Sequence, residues 1–174
     1  KILPSERDQN FHVTAPTGDA YVLKIANASE RLEVLEFQNQ AMMHIAGKHG
    51  NHDHAGAAGP LVCKTPAGEQ ITTVMAGDGN THFVRILTYL PGKLLATVKP
   101  HDASLLENLG RFFGNLDLAF EDFDHPAAHR DFHWDLKNAG QVIGSLIDEI
   151  EDPVDRNTVA RFLNRFQDTV ETKL

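Results

Sequence analysis

The chain has 174 residues, 41% of them hydrophobic and 23% charged, enough for one core or two small lobes sharing an interface and unlike disordered or low-complexity sequence. A formal net charge of -8 argues against a nucleic-acid partner, while leaving room for a nucleotide held by local positive charge. The single cysteine, Cys63, forms no intrachain disulfide and fits a reducing, cytoplasmic setting, and no apolar run approaches the roughly 18 residues of a membrane span, so no membrane partner is expected.

The opening Lys1-Ile2-Leu3-Pro4 carries neither a start methionine nor a signal-peptide pattern, which predicts an excised fragment. Phe11 to Ala15 and Tyr21 to Ala26 read as strands joined by turn chemistry at Pro16-Thr17-Gly18-Asp19, a hairpin. Ser29 is the expected N-cap of a helix from about Glu30 to Gly47. Its apolar stripe is Leu32, Leu35, Met42, Met43 and Ile45, broadened by Val34 and Phe37. His49 to Gly59 reads as a loop. Three more strands are expected at Pro60 to Lys64, Gln70 to Met75 and His82 to Leu90, separated by turns at Pro66-Ala67-Gly68-Glu69 and Gly77-Asp78-Gly79-Asn80.

Beyond Pro91-Gly92 the pattern is helical. Asp102 or Ser104 caps a helix through about Phe120, with Leu105, Leu106, Leu109, Phe112, Phe113, Leu116 and Phe120 at helical spacing. Gln141 to Ile150 is a further helix, and Asp152-Pro153 opens a last one. The expectation is therefore an α+β fold. Residues 1–90 form an antiparallel sheet of about five strands with one helix, and residues 91–174 form helices, with the boundary at Pro91-Gly92.

A five-strand sheet with one helix after its second or third strand is how kinase-like N-lobes are built. There a strand lysine holds nucleotide phosphates, and a helix carboxylate holds the lysine. Lys24, flanked by Leu23 and Ile25, is the candidate lysine; the alternative is a strand lysine that extends to solvent. Glu36 is the best-placed acid by distance along the chain, with Glu30 and Glu33 as rivals and Asn39 or Gln40 on the same face as Glu36.

The runs Leu3 to Val13, Tyr21-Val22-Leu23-Lys24-Ile25 and Glu36 to Met42 resemble the hydroxylysine-kinase-like branch of the aminoglycoside phosphotransferase family. Leu87-Thr88-Tyr89-Leu90-Pro91-Gly92 resembles that family's inter-lobe hinge, and Phe123 to Ala127 with Trp134 to Asn138 resembles an early C-lobe segment. The resemblance implies a nucleotide site of Lys24, Glu36, Thr88 and Leu90. It also implies that the turn holding Ser5, Asp8, Gln9 and Asn10 takes the place of a Gly-rich phosphate loop, since no G-x-G-x-x-G lies between the first strands. It further implies transfer of a γ-phosphoryl group from ATP or GTP, with Mg²⁺, to a hydroxyl of a small amino alcohol or amino acid. A non-catalytic kinase-like module, fused to an aminotransferase as in some relatives of this branch, is the alternative.

His129-Arg130-Asp131 looks like a kinase catalytic loop, but that loop places its metal-binding asparagine five residues after the aspartate. Five residues on from Asp131 is Leu136, Asn138 is seven on, and five on from Asp135 is Gly140. Neither register fits, no Asp-Phe-Gly follows, and by resemblance the true loop lies beyond Leu174. No catalytic residue is assigned within this chain, and the chain alone is expected to lack turnover. The histidines at 44, 49, 52 and 54 and at 125, 129 and 133 read as a surface loop and a partly exposed helix face rather than a zinc site, because no cysteine partners them. Cys63 reads as a small buried strand residue.

Overall fold

In the computed structural model of the chain, which describes residues 1–48, 59–132 and 134–173, three turns of one kind organise the sheet. Gly18, Gly68 and Gly79 lie at φ values of 94°, 88° and 84°. Each glycine N–H donates to the carbonyl three residues before it, on Ala15, Thr65 and Ala76, at 2.9, 2.8 and 3.0 Å. Those three residues in turn donate their own N–H to the carbonyl just past the glycine, on Asp19, Glu69 and Asn80. This is a tight turn closed by a glycine bulge, and only glycine takes that backbone conformation without strain.

Between the turns run strands β1 (Ile2–Leu3), β2 (Gln9–Thr14) and β3 (Ala20–Ile25), helix α1 (Leu32–Lys48), then β4 (Val62–Cys63), β5 (Thr72–Met75) and β6 (Thr81–Thr88). They form one antiparallel six-stranded sheet in the order β1-β2-β3-β6-β4, with β5 also on β6. Strand β6 is the centre. It pairs with β3 along one edge, and along the other with β5 near its start and β4 near its end. The five expected strands are present. Ile2–Leu3 adds a sixth, which two residues are too few to announce by alternation.

Helix α1 begins at Leu32, later than Ser29 would place it. The Ser29 side chain and N–H both donate to Asn27 Oδ1 at 2.7 Å, and Glu30 N–H donates to Asn27 O, so Asn27 holds this segment in a turn. The buried stripe of α1 is also rotated from the expected one. Val34, Leu35, Asn39 and Ile45 are buried, whereas Leu32 and Met43 are exposed.

Helix α2 (Ala103–Phe120) starts at Asp102, whose side chain accepts from Leu105 N–H at 2.8 Å. Its apolar residues differ in burial. Leu105, Leu109, Leu116 and Phe120 are half-buried, while Leu106, Phe112, Phe113 and Leu118 are exposed. The chain separates into two compact units, Lys1–Ala128 and His129–Leu174, so α2 lies in the same unit as the sheet. The link between α1 and α2 is His44. Its Nε2 lies 2.8 Å from Ala119 O and 3.1 Å from Asp122 Oδ1, and its ring packs near Phe120 and Phe123.

The second unit holds α3 (Ala139–Leu146), continued as a 3-10 turn over Ile147–Glu149, and α4 (Pro153–Thr169), which pack on each other. Asp152 caps α4, accepting from Val154 and Asp155 N–H at 2.7 and 3.2 Å, with Pro153 in the first turn as expected. The segment around His125 and His129 is a single 3-10 turn, Pro126–His129. His133 and nearly all of the His49 to Gly59 loop lie outside the described residues.

Candidate functional site

Strand alternation turns Val22 and Lys24 of β3, and Arg85 and Leu87 of β6, toward α1. Lys24 is the register partner of Asn10 on β2 and of Arg85 on β6. Its Nζ donates to Asn10 Oδ1 at 2.8 Å and lies 3.8 Å from Asp8 Oδ2. The Asp8 and Lys24 side chains are about one-fifth exposed, and Asp8 is fixed from behind by Asn27 N–H at 3.3 Å. Burial pulls the Lys24 ammonium below the ordinary lysine value, Asp8 pushes it up, and the Arg85 charge pulls it down further.

Arg85 is only 6% exposed. Its guanidinium donates to Asn39 Oδ1 at 2.7 Å and to Leu35 O at 3.4 Å from Nη1, and to Gln38 Oε1 from Nη2. Asn39 is 1% exposed, and its Nδ2 has no hydrogen-bond partner among the described residues. Burial lowers the Arg85 pKa, with Asp8 and then Glu30 opposing.

Asp8, Lys24, Gln38 and Arg85 line part of a cavity of about 740 Å³ between the sheet and α1. Val22, Phe37, Ala41, Met42 and Leu87 make it apolar, and Thr88, Tyr89 and Leu90 form its rim. Thr88 closes the end of the sheet, with its Oγ1 accepting from Leu61 N–H at 2.8 Å and its N–H donating to Leu61 O at 2.9 Å. Tyr89 N–H donates to Ala20 O. Leu90 N–H, past the ladder, meets no backbone acceptor among the described residues. An apolar slot with a polar backbone rim and cations at its inner wall suits a flat heterocycle carrying anionic groups.

Of the residues expected at the site, Asp8, Lys24, Thr88 and Leu90 line this cavity, and Asn10 enters through Lys24. Ser5 and Gln9 are exposed and outside its wall. The expected Lys24–Glu36 pair does not form: Glu36 is exposed, and the lysine's ion pair is with Asp8. The reason is helix rotation. Leu35, Gln38 and Asn39 share the face that meets Arg85, and Glu36 is turned away from it by one residue's rotation. Arg85 was not anticipated, although its place between Val84 and Ile86 on a strand pairing with β3 puts it beside Lys24.

Around His129-Arg130-Asp131 the described contacts are local. The Arg130 guanidinium lies over the Phe132 ring at 5.1 Å, and Asp135 accepts from Lys137 N–H at 3.1 Å. Asn138 Nδ2 donates to Phe132 O at 2.9 Å. Among the described residues no cluster of three or more His, Cys, Asp or Glu could hold a metal ion, and none of the described helices is long and apolar enough to cross a membrane. Cys63 is half-buried, and burial raises its thiol pKa.

Residues 1–172 match the sequence model of the phosphotransferase enzyme family. The chain belongs to that family. Hydroxylysine kinase of Mus musculus is 34% identical over 188 aligned residues, covering 99% of this chain and 48% of the relative. Hydroxylysine kinase of Bos taurus is 32% identical over 189, with the same coverage. The fold is similar to that of an amicoumacin kinase solved in complex with AMP-PNP and Ca²⁺, with a TM-score of 0.67 at 14% identity over 100% of this chain and 48% of that one. The phosphotransferase chain thus has the kinase-like fold, an N-lobe sheet with helices, and spans about half the length of the relatives it matches.

Proposed function

We propose that this chain is the nucleotide-binding part of a small-molecule kinase. In that reading the whole protein moves the γ-phosphoryl group of ATP or GTP, with Mg²⁺, to a hydroxyl of a small amino alcohol or amino acid. The observation that carries it is Lys24 on the wall of the cavity between β3, β6 and α1, opposite the Thr88–Leu90 rim. The hydroxylysine kinase relatives support an acceptor of that class.

The chemistry asked of these residues is binding and orientation. The purine enters the apolar slot beside Val22, Ala41 and Leu87, with its polar edge at the Leu90 N–H. The Lys24 ammonium then faces the phosphates and offsets their charge, so that the transferring group is held in one place. Asp8 sits at the long limit of an ion pair, 3.8 Å, so little is lost when phosphate oxygens replace it beside Lys24. Mg²⁺, when bound with the nucleotide, neutralises phosphate charge. Asp8, the carboxylate that lines this cavity among the described residues, would share in holding it, since Mg²⁺ sites commonly combine one or two carboxylates with substrate phosphates.

Calorimetric titration with Mg-ATP and Mg-GTP tests this reading. Wild-type chain should bind at least one of them, and Lys24→Ala should weaken that binding about tenfold or more, the scale of one lost charge-assisted contact. Equal affinities for the two proteins would remove Lys24 from the phosphate site.

A further inference from the structure

Arg85 has an unusual set of partners for a buried cation. Buried guanidinium groups are ordinarily matched by a carboxylate, because an unpaired charge at low dielectric is costly. Here the helix offers two neutral amides, Gln38 and Asn39, and one backbone carbonyl. An aspartate in place of Asn39 would give Arg85 a charge-assisted bond and would remove a buried donor that now has no partner among the described residues, Asn39 Nδ2. The amide adds no negative charge of its own, and the carboxylates that do act on Arg85, Asp8 and then Glu30, are not hydrogen-bonded to it among the described contacts.

The guanidinium charge stands next to a second one. Lys24 and Arg85 are cross-strand partners, which brings their Cβ atoms to about 5 Å. Both line the same cavity, and among the described residues Asp8 is the only acidic group lining it. Glu30 acts on Arg85 but is not part of the wall. In a chain of net charge -8, the inner wall of this cavity is therefore a locally positive surface built from two adjacent cations and one carboxylate.

We propose that Arg85 is a second phosphate-binding cation, paired with Lys24 to receive the oligophosphate of a nucleoside triphosphate and held to α1 by the neutral amides of Gln38 and Asn39. The proposal rests on the nucleotide reading above and extends it. The amide tether fixes the guanidinium in place without neutralising it. It also links α1 to the anion through Arg85, where a helix carboxylate on the lysine was expected.

The test compares ATP with adenosine, which shares the base and sugar but lacks the phosphates. Calorimetry is run on wild-type chain and on Arg85→Met, Asn39→Asp and Lys24→Met, with thermal melting as the check on folding. Arg85→Met should lose about tenfold or more in ATP affinity while adenosine binding stays within about twofold. Asn39→Asp keeps the arginine and supplies a carboxylate to neutralise it, so it should weaken ATP in the same selective way. If Arg85→Met fails to fold, Asn39→Asp carries the test alone.

Unchanged ATP affinity in the Arg85 and Asn39 variants, with Lys24→Met still weakened, would overturn the role of Arg85 and leave the nucleotide reading standing. Equal losses of ATP and adenosine in the Arg85 and Asn39 variants would make Arg85 a packing residue and overturn the proposal. Failure of wild-type chain to bind either Mg-ATP or Mg-GTP would overturn both; if only GTP binds, GTP and guanosine replace ATP and adenosine in the same comparison.

Discussion

Lys24 on β3 and Arg85 on β6 stand side by side as register partners, and the Arg85 charge helps to pull the Lys24 pKa down. The lysine is relieved by Asn10 and Asp8, the arginine by Gln38, Asn39 and the carbonyl of Leu35. Strand β2 therefore serves one cation and helix α1 the other.

This arrangement has a pH signature. The Lys24 pKa is lowered in the folded chain, chiefly by burial, from an ordinary value of 10.5. Between the folded value and 10.5 the unfolded chain binds more protons at this site than the folded chain does, so stability rises with pH across that window. The stability difference between wild type and Lys24→Met, followed by denaturant melts at increasing pH, should shift in favour of wild type as pH climbs toward 10.5. A difference that stays flat with pH would mean that Lys24 titrates as a solvated lysine.

His44 ties α1 to α2 through a carbonyl that the helix itself leaves unsatisfied. Ala119 O belongs to the last turn of α2, where intrahelical donors run out, and Ala119 is 8% exposed. A carbonyl can only accept, so His44 Nε2 carries the proton of this 2.8 Å bond. His44→Phe keeps a ring against Phe120 and Phe123 but removes the donor, and should cost about 1–2 kcal/mol in urea denaturation. A loss below about 0.5 kcal/mol would mean that water or another donor satisfies Ala119 O.

The turn glycines and the helix glycines should respond in opposite ways. Gly18 sits at φ 94°, so Gly18→Ala should destabilise by about 1 kcal/mol or more although nothing lies within 4 Å of the added methyl. Gly114 is inside α2, also with open space around it, and Gly114→Ala should stabilise by about 0.5–1 kcal/mol. Thermal melts of the two variants decide this, and melting shifts of the same sign would contradict the backbone argument.

Much of the fold was legible because it depends on local chemistry. The turns at Gly18, Gly68 and Gly79, the caps Asp102 and Asp152 with Pro153, and the alternation that turns Lys24 inward are all set within a few residues of themselves. What the sequence concealed depends on how elements are rotated and registered against one another. Glu36 and Asn39 are both polar residues on α1, and only the seating of the helix on β6 decides that Asn39 is buried and Glu36 exposed. Arg85 reads as one charge in an apolar strand until the β3–β6 register sets it opposite Lys24. Asn27 delayed the start of α1 by holding Ser29 in a turn, a competition between two capping side chains that spacing alone does not rank. In α2, helical spacing located the apolar residues without telling which of them would be covered.

A crystal structure of this chain with a non-hydrolysable ATP analogue tests the central claim most directly. The account predicts the purine in the slot beside Val22 and Leu87, its edge at the Leu90 N–H, and a phosphate oxygen within about 3.2 Å of Lys24 Nζ. A nucleotide bound elsewhere, or bound here with its phosphates directed away from Lys24, would contradict it.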